Sequence, residues 1–404
     1  MPVPEVEISL ISEWLDAEAA RDPGRKGHAG GTERLVSPAD TVERLRPQLA
    51  GLGITRLGNL TGLDNLGIPV FMSTRPLARA VAVSLGKGIS DDAAMASALM
   101  ESIETWHAER IDAPLILRSL ADMRGHRPVI DTSRLCLRPG RVFPEHEPVP
   151  WIEAVDILAS RPVWLPYEIV HTDYRSPALP GSGAVIMSTN GLASGNHRLE
   201  ALLHALLELV ERDAMARLRR MSLDGRAQRL IDPDAVEDPV CAGLIARLRD
   251  ADCDLAIYDI ALRFDIPAYY VRLGARDRLL PLAEGAGCHG DPAIALSRAL
   301  TEAAQVRTTY ISGARDDLKR HEFSPESLER DAEFASAIFA ARGHRRLPPP
   351  PPPRETFADE LDHLLARLVA DGIEEVAMVD MSGPVDHVFV VRAVVPGLRR
   401  QEMD

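Results

Sequence analysis

Three stretches of the chain share one pattern: a glycine-bearing segment, then a run of apolar positions broken by a single narrow polar stripe. In the second stretch, after Asn190-Gly191 and Gly195-Asn196, the polar positions are Glu200, His204, Glu208 and Glu211. Ala201, Leu202, Leu203, Ala205, Leu206, Leu207, Leu209 and Val210 fill the places between them. A helix advances about 100° per residue, so these four polar side chains fall within roughly an 80° arc. A surface helix buries a stripe of about 100° or more and solvates the rest; here the proportions are inverted. The first stretch, after Gly86-Lys87-Gly88, confines Ser97, Glu101 and Glu104 to roughly 60°. The third, after Gly285-Ala286-Gly287, puts Arg298, Glu302 and Gln305 on one face. The glycines before each helix read as turns.

Any one stripe is consistent with a thin solvated edge on a core helix. Three with the same layout point to a shared site. Carboxylates brought close together repel and raise one another's pKa, so they stay ionised only with cations between them. All-oxygen ligation suits Mg²⁺ or Ca²⁺ better than zinc, and Mg²⁺ joins a few carboxylates to substrate phosphates. Mg-ATP is the economical reading.

Between the stripes the pattern alternates helix and strand. Ser37-Pro38-Ala39-Asp40 opens a helix over 42–52, Asn196 is the predicted N-cap of a helix over 198–218, and Asp291-Pro292 supplies an N-cap and a first-turn proline. Further helices are predicted at 240–250 and 357–371. Strands are predicted at 54–60, 68–72, 81–85, 151–154, 163–166, 254–258, 268–273, 375–380 and 388–395. This mixture favours an α/β or α+β core over a helical bundle. Residues 1–33 are polar and glycine-bearing and read as a partly mobile leading segment. The core spans 34–346. Six prolines, Pro348 to Pro353, make 347–354 a stiff spacer. Residues 355–404 return to order as a helix and strands that rejoin the core.

Composition narrows the function. The 404 residues carry 46 basic and 60 acidic side chains, a net charge of −14, which argues against nucleic acid held by bulk electrostatics. Cys136, Cys241, Cys253 and Cys288 form no Cys-x-x-Cys pair, so neither a disulfide scaffold nor a zinc finger is indicated. Cys288 reads as a small buried thiol. No basic leader and no membrane-length apolar run occurs, and the expected location is the cytoplasm. Gly86-Lys87-Gly88 lacks the upstream Gly and following Ser/Thr of a P-loop, and no kinase-type glycine loop is present.

At these residues the chain resembles the YcaO family of ATP-dependent enzymes that modify peptide backbone amides. The resemblance runs from about Arg34 to Leu398. It rests on Thr61-Gly-Leu-Asp64 with Gly67-Ile-Pro69-Val70, on Gly86-Lys-Gly88 with Ser97-Ala-Leu-Met-Glu101-Ser-Ile-Glu104, and on Glu208-Leu-Val-Glu211-Arg212-Asp213. Ala295-Leu-Ser-Arg298-Ala-Leu-Thr-Glu302-Ala-Ala-Gln305 and Val390-Val-Arg-Ala-Val-Val-Pro396-Gly397 complete it. It implies an α+β core with a nucleotide pocket that is not a P-loop, built from the three acidic-striped helices. Carried over, Glu101, Glu104, Glu200, Glu208 and Glu211 match the metal and phosphate shell. Ser97, Asn196, Glu200, Arg212, Arg298, Glu302 and Gln305 match the nucleotide surroundings, and Arg34 and Thr41 correspond to an N-terminal Lys and Ser. Glu101, Glu208 and Arg298 are the expected catalytic residues. Thr105 departs from the pattern, which commonly has Arg there.

The implied chemistry adds a nucleophile to a backbone carbonyl, whose oxygen then attacks the γ-phosphate of ATP and leaves as phosphate. A substrate Cys, Ser or Thr as nucleophile gives an azoline; sulfide gives a thioamide. Many azoline-forming members end in a Pro-x-Pro-x-Pro tail, whereas this chain ends Arg400-Gln-Glu-Met-Asp404. The stretch 305–317 is similar to members that work beside a TfuA protein, and thioamide formation is favoured for that reason. No leader-peptide-binding domain precedes the core, so the expected partners are a peptide or protein substrate and a TfuA-like or leader-binding protein, around a homodimer. Two other classes remain in view: a non-catalytic ATP-binding scaffold that presents peptides, and a Mg-diphosphate lyase or synthase.

Overall fold

The computed structural model describes residues 12–276, 279–315 and 318–399. Asp316, Asp317 and the tail from Arg400 to Asp404, which entered the sequence comparison, lie outside the described residues, as do 1–11 of the leading segment. From the N-terminus, α1 (Glu13–Arg21) and a short hairpin, β1 (His28–Ala29) with β2 (Glu33–Arg34), lead into α2 (Pro38–Leu45). The first unit is an antiparallel sheet of β3 (Arg56–Asn59), β4 (Val70–Thr74) and β5 (Val83–Lys87), running into α3 (Asp91–Ala108). Next come β6 (Leu115–Arg118), α4 (Leu120–Arg124), β7 (Val149–Asp156), β8 (Arg161–Pro166) and β9 (Leu192–Gly195), which enters α5 (Arg198–Arg220). After α6 (Leu223–Ala227), the third unit holds β10 (Leu230–Ile231), α7 (Pro239–Asp250), β11 (Cys253–Asp259), β12 (Ala268–Ala275) and β13 (Ala283–Cys288), which enters α8 (Pro292–Ser312). The chain finishes with α9 (Pro325–Ala340), α10 (Phe357–Ala370), β14 (Ala377–Asp380) and β15 (Phe389–Val394).

The fold class is α+β. Beyond the first sheet, β10-β11-β12-β13 form an antiparallel four-stranded sheet, and β6-β7-β14-β15-β9, with β8 on β7, form a six-stranded one. The last two strands of the chain therefore pair inside the central sheet, β15 lying between β14 and β9.

Of the glycines read as turns, Gly191 lies in a turn and Gly88 just past its strand, whereas Gly86, Gly195, Gly285 and Gly287 prove to be strand residues. Gly86 lies in β5 and Gly285 in β13, each beneath the helix that follows. A methyl group on Gly86 would fall 2.1 Å from the Ala98 nitrogen, and one on Gly285 would fall 2.2 Å from the Ala299 oxygen. Any side chain there would push the helix off its sheet. Each acidic helix thus rests on its own strand. It also touches the strand of another unit: α3 meets β9, α5 meets β13, and α8 meets β5. The three strand–helix units close into a cycle.

Capping explains most helix starts. Ser90 accepts from the Ala93 amide, and Asp291 accepts from Ala293 and Ile294 with Pro292 behind it. The predicted cap Asn196 is corrected: His197 caps α5 through Nδ1, because the Asn196 amide instead donates to Thr41 Oγ1 at 3.2 Å. The helix predicted over 42–52 ends at Leu45 and tightens into a 3₁₀ turn over Arg46–Gln48, where Pro47 lacks the amide donor a longer helix needs. Apolar faces fill the core: Leu199, Leu202, Leu203, Leu206 and Leu207 of α5 are all buried, packed with Leu361 and Leu365 of α10. Burial of each leucine is worth roughly 1.5–3 kcal/mol relative to exposure.

Candidate active site

With their apolar flanks spent on the core, the three polar stripes line one cavity of about 540 Å³. Every residue singled out from the sequence borders it: Ser97, Glu101 and Glu104 on α3; Glu200, Glu208, Glu211 and Arg212 on α5; Arg298, Glu302 and Gln305 on α8; and Arg34, Thr41 and Asn196 at one end. Several stripe residues also tie one unit to another. Glu104 of α3 accepts from the Ser194 amide and hydroxyl of β9 at 2.9 and 2.7 Å. Glu302 of α8 pairs with Lys87 of β5 at 2.7 Å. Gln305 of α8 donates from Nε2 to the Leu85 oxygen of β5 at 3.1 Å.

The remaining contacts order the α5 wall. Arg212 sits 3.6 Å from Glu208 and 3.4 Å from Glu211, and Glu208 accepts from the Gly191 amide at 3.2 Å. Glu200 accepts from the Leu35 amide at 3.3 Å and lies 3.8 Å from Arg34, whose guanidinium also meets the His204 ring.

Burial dominates the electrostatics. It pushes Glu101 up to about 7 against the pull of Lys87, and Glu104 up to about 8 against the Ser194 hydrogen bonds. Burial likewise raises Glu211 to about 7 against Arg212, and raises Glu200 despite Arg34. Glu302 is the exception: burial acts upward, but Lys87 and Arg212 together hold it below its ordinary value. Burial lowers Arg34 to about 10 and, with Arg34 and Arg298 nearby, holds His204 well below the usual imidazole range. Near neutral pH the cavity therefore contains carboxylates that resist ionising together. A divalent cation would reverse that preference, and an all-carboxylate donor set is the kind Mg²⁺ accepts. The Oε1 atom of Gln305, buried in the same wall, has no hydrogen-bond partner among the described residues and offers an acceptor to a bound group. Cys288 is buried, and burial followed by Glu211 pushes its thiol far up, so it offers no thiolate ligand.

Lys87, Ser194 and Arg315 also line the cavity and were not singled out by sequence. For Lys87 a signal existed: a lone cation ending an apolar strand, between two glycines, just before an acidic helix. Ser194 became a partner only through the α3–β9 crossing. Thr105, standing where the family pattern has Arg, accepts from the guanidinium of Arg75 at 2.8 Å, and Arg75 is itself clamped to Glu109.

Among the described residues no helix is long and apolar enough to cross a membrane. An "uncharacterized protein in tfuA 3′ region" of Rhizobium leguminosarum bv. trifolii is 37% identical over 96% of this chain and 94% of its own length. An uncharacterized protein of Methanothermobacter thermautotrophicus is 34% identical over 92% and 96% of the two chains. Among solved structures, the YcaO protein of Methanopyrus kandleri bound with AMPPCP and Mg²⁺ has a TM-score of 0.72 at 23% identity, covering 93% of this chain and 94% of that one. A heterocyclase in complex with substrate and cofactor reaches a TM-score of 0.76 at 22% identity; the match covers 93% of this chain but 54% of that longer one. These two likenesses establish the shared fold. The model of the YcaO cyclodehydratase family, described as ATP- and Mg²⁺-binding, matches residues 85–399, and the chain belongs to that family.

Proposed function

We propose that this protein uses Mg-ATP to replace the oxygen of a backbone amide in a peptide or protein, with thioamide formation beside a TfuA-type partner as the favoured outcome. The observation that carries the reading is the convergence of buried carboxylates from α3 and α5 and basic side chains from α5 and α8 on one cavity. Glu101, Glu104, Glu200, Glu208 and Glu211 would hold Mg²⁺, which supplies charge neutralisation at the phosphates. Arg298 and Arg212 face the charge that develops as the γ-phosphoryl group moves. Ser97, Asn196, Thr41, Arg34, Glu302 and Gln305 orient the nucleotide. In the transfer, sulfide adds to the carbonyl carbon, the resulting oxyanion takes the γ-phosphoryl group of ATP and releases ADP, and phosphate then departs with that oxygen and leaves a carbon–sulfur double bond. The relative from the tfuA 3′ region supports the choice of sulfide and of the partner class.

Azoline formation is the second reading, favoured by the likeness to a heterocyclase. There a substrate Cys, Ser or Thr side chain adds in place of sulfide. Mass spectrometry of a peptide co-expressed with the protein and its genomic neighbours separates the two: a gain of about 16 Da marks oxygen-to-sulfur exchange, and a loss of about 18 Da marks cyclisation. Glu208→Gln is expected to abolish either product. An unmodified peptide, together with no ATP hydrolysis by the complete mixture, would refute the enzymatic reading and leave the scaffold.

A further inference from the structure

Residues 23–36 form a strap that reaches every unit of the cycle. At its start the Phe357 amide of α10 donates to the Gly24 oxygen, and the Lys26 amide donates to the Glu355 oxygen, each at 2.9 Å. The tip of the β1–β2 hairpin, Gly30 to Thr32, lines the cavity beside Ile89 of the first unit. Ser297 of α8 donates to the Gly31 oxygen at 3.4 Å. On the second strand of the hairpin, Arg34 meets His204 and Glu200 of α5.

The most buried cation of the strap is not in the cavity. The Lys26 side chain is 7% exposed, and its ammonium donates to the carboxylates of Glu33, across the hairpin, and Glu360, on α10. His289 Nε2 lies 3.9 and 3.8 Å from the same two carboxylates, and His289 Nδ1 accepts from the Asp291 amide at the foot of α8. Glu33, His289 and Glu360 present ligand atoms within 4.8 Å of one another, a spacing a metal ion would accept. Here the cation between the carboxylates is the protein's own.

A buried ion pair stabilises no better than well-packed apolar side chains, but it tolerates only one geometry. The backbone bonds of Gly24 and Lys26 anchor the start of the strap, and the paired ammonium carries that anchoring across the hairpin to Glu33, next to Arg34. We propose that Lys26 is a positioning residue, whose bonds to Glu33 and Glu360 fix the register of the strap on α10 and so hold the Arg34 guanidinium at the end of the nucleotide cavity. The inference rests on reading that cavity as an ATP site.

The test is calorimetric titration of the full chain with Mg²⁺ and a non-hydrolysable ATP analogue. Lys26→Met is expected to weaken binding about tenfold, and Lys26→Arg to recover most of it. If Lys26 acts through Arg34, adding Lys26→Met to Arg34→Ala costs nothing beyond Arg34→Ala alone. In turnover, KM for ATP rises about tenfold while kcat stays within about twofold, a split that general destabilisation would not give. The charge-balanced variant Lys26→Met/Glu360→Gln guards against misfolding and is expected to show the same loss. Wild-type affinity in that folded double variant, or fully additive losses with Arg34→Ala, would overturn the proposal. If Arg34→Ala weakens binding and Lys26→Met does not, the cavity remains an ATP site and only the positioning role falls. A wild-type chain that binds no analogue removes both.

Discussion

Among the described residues two buried carboxylate clusters meet the same electrostatic problem in different ways. At the clasp, Glu33 and Glu360 share the ammonium of Lys26, so the negative charge is neutralised inside the chain. In the cavity, Glu101, Glu104 and Glu211 are pushed up to between about 7 and 8, burial outweighing Lys87 and Arg212. Its cations pair with Glu302, with Glu208 and Glu211, and with Glu200. A cluster with its own cation is structural glue. One left short of cations holds carboxylates that a divalent cation would stabilise. The contrast shows why acidic residues alone do not identify a metal site: what matters is whether the fold has already supplied the counter-charge.

The most severe way to break the contrast is to give the cavity a cation of its own. Glu104→Lys is expected to raise the metal-free melting temperature, abolish its response to Mg²⁺, and cut ATP turnover about a hundredfold or more; thermal scans and a phosphate-release assay read all three. Conversely, Lys26→Met alone strips the clasp of its cation and should cost about 3 kcal/mol of unfolding free energy at pH 8, and less in acid, because burial already raises the Glu360 carboxyl despite Lys26 and favours its protonation. Denaturant titration measures this.

A gentler probe is pH. Carboxyls whose folded pKa lies above their unfolded value bind more protons in the native state, so their contribution to stability is full below the unfolded value and is lost as pH rises through about 7 to 8. Above about pH 7 the buried, neutral His204 and His289 contribute little further change. Between pH 7 and about 8.5 metal-free stability should therefore fall by up to about 1.4 kcal/mol per pH unit for each proton released, and the Mg²⁺-induced rise in melting temperature should grow. Glu104→Gln should flatten both trends. The smallest effect is expected at Cys288: Cys288→Ala should leave turnover within about twofold, and the folded protein should resist iodoacetamide there, because burial holds the thiol protonated.

The acid stripes were legible in the sequence because a 3.6-residue period fixes angular position whatever lies around the helix; Glu101 and Glu104, or Glu208 and Glu211, needed no tertiary information to be placed together. Of the strands beneath those helices, the one predicted at 81–85 appears as β5, but the other two were not legible. Leu192–Gly195 and Ala283–Cys288 are too small and glycine-rich to carry a strand signal, and their composition makes sense only when a helix backbone is seen resting on them. Arg34 and Thr41 entered through family resemblance, not through local pattern. The clasp had no sequence signature, since Lys26 and Glu360 stand 334 positions apart and each is an ordinary surface residue type. Helix α1 was likewise hidden in a short polar stretch with a weak apolar face.

The closed cycle of units bears on how the protein comes into being on the ribosome. Walls of the cavity are drawn from segments near residues 34, 100, 200 and 300, and β15, the last strand described, wedges between β14 and β9. Such distant pairings form late and slowly. A nascent or truncated chain missing that strand leaves β9 without its partner and α5 without part of its floor, so the ability to grip a triphosphate should arise in one step, near the end of synthesis.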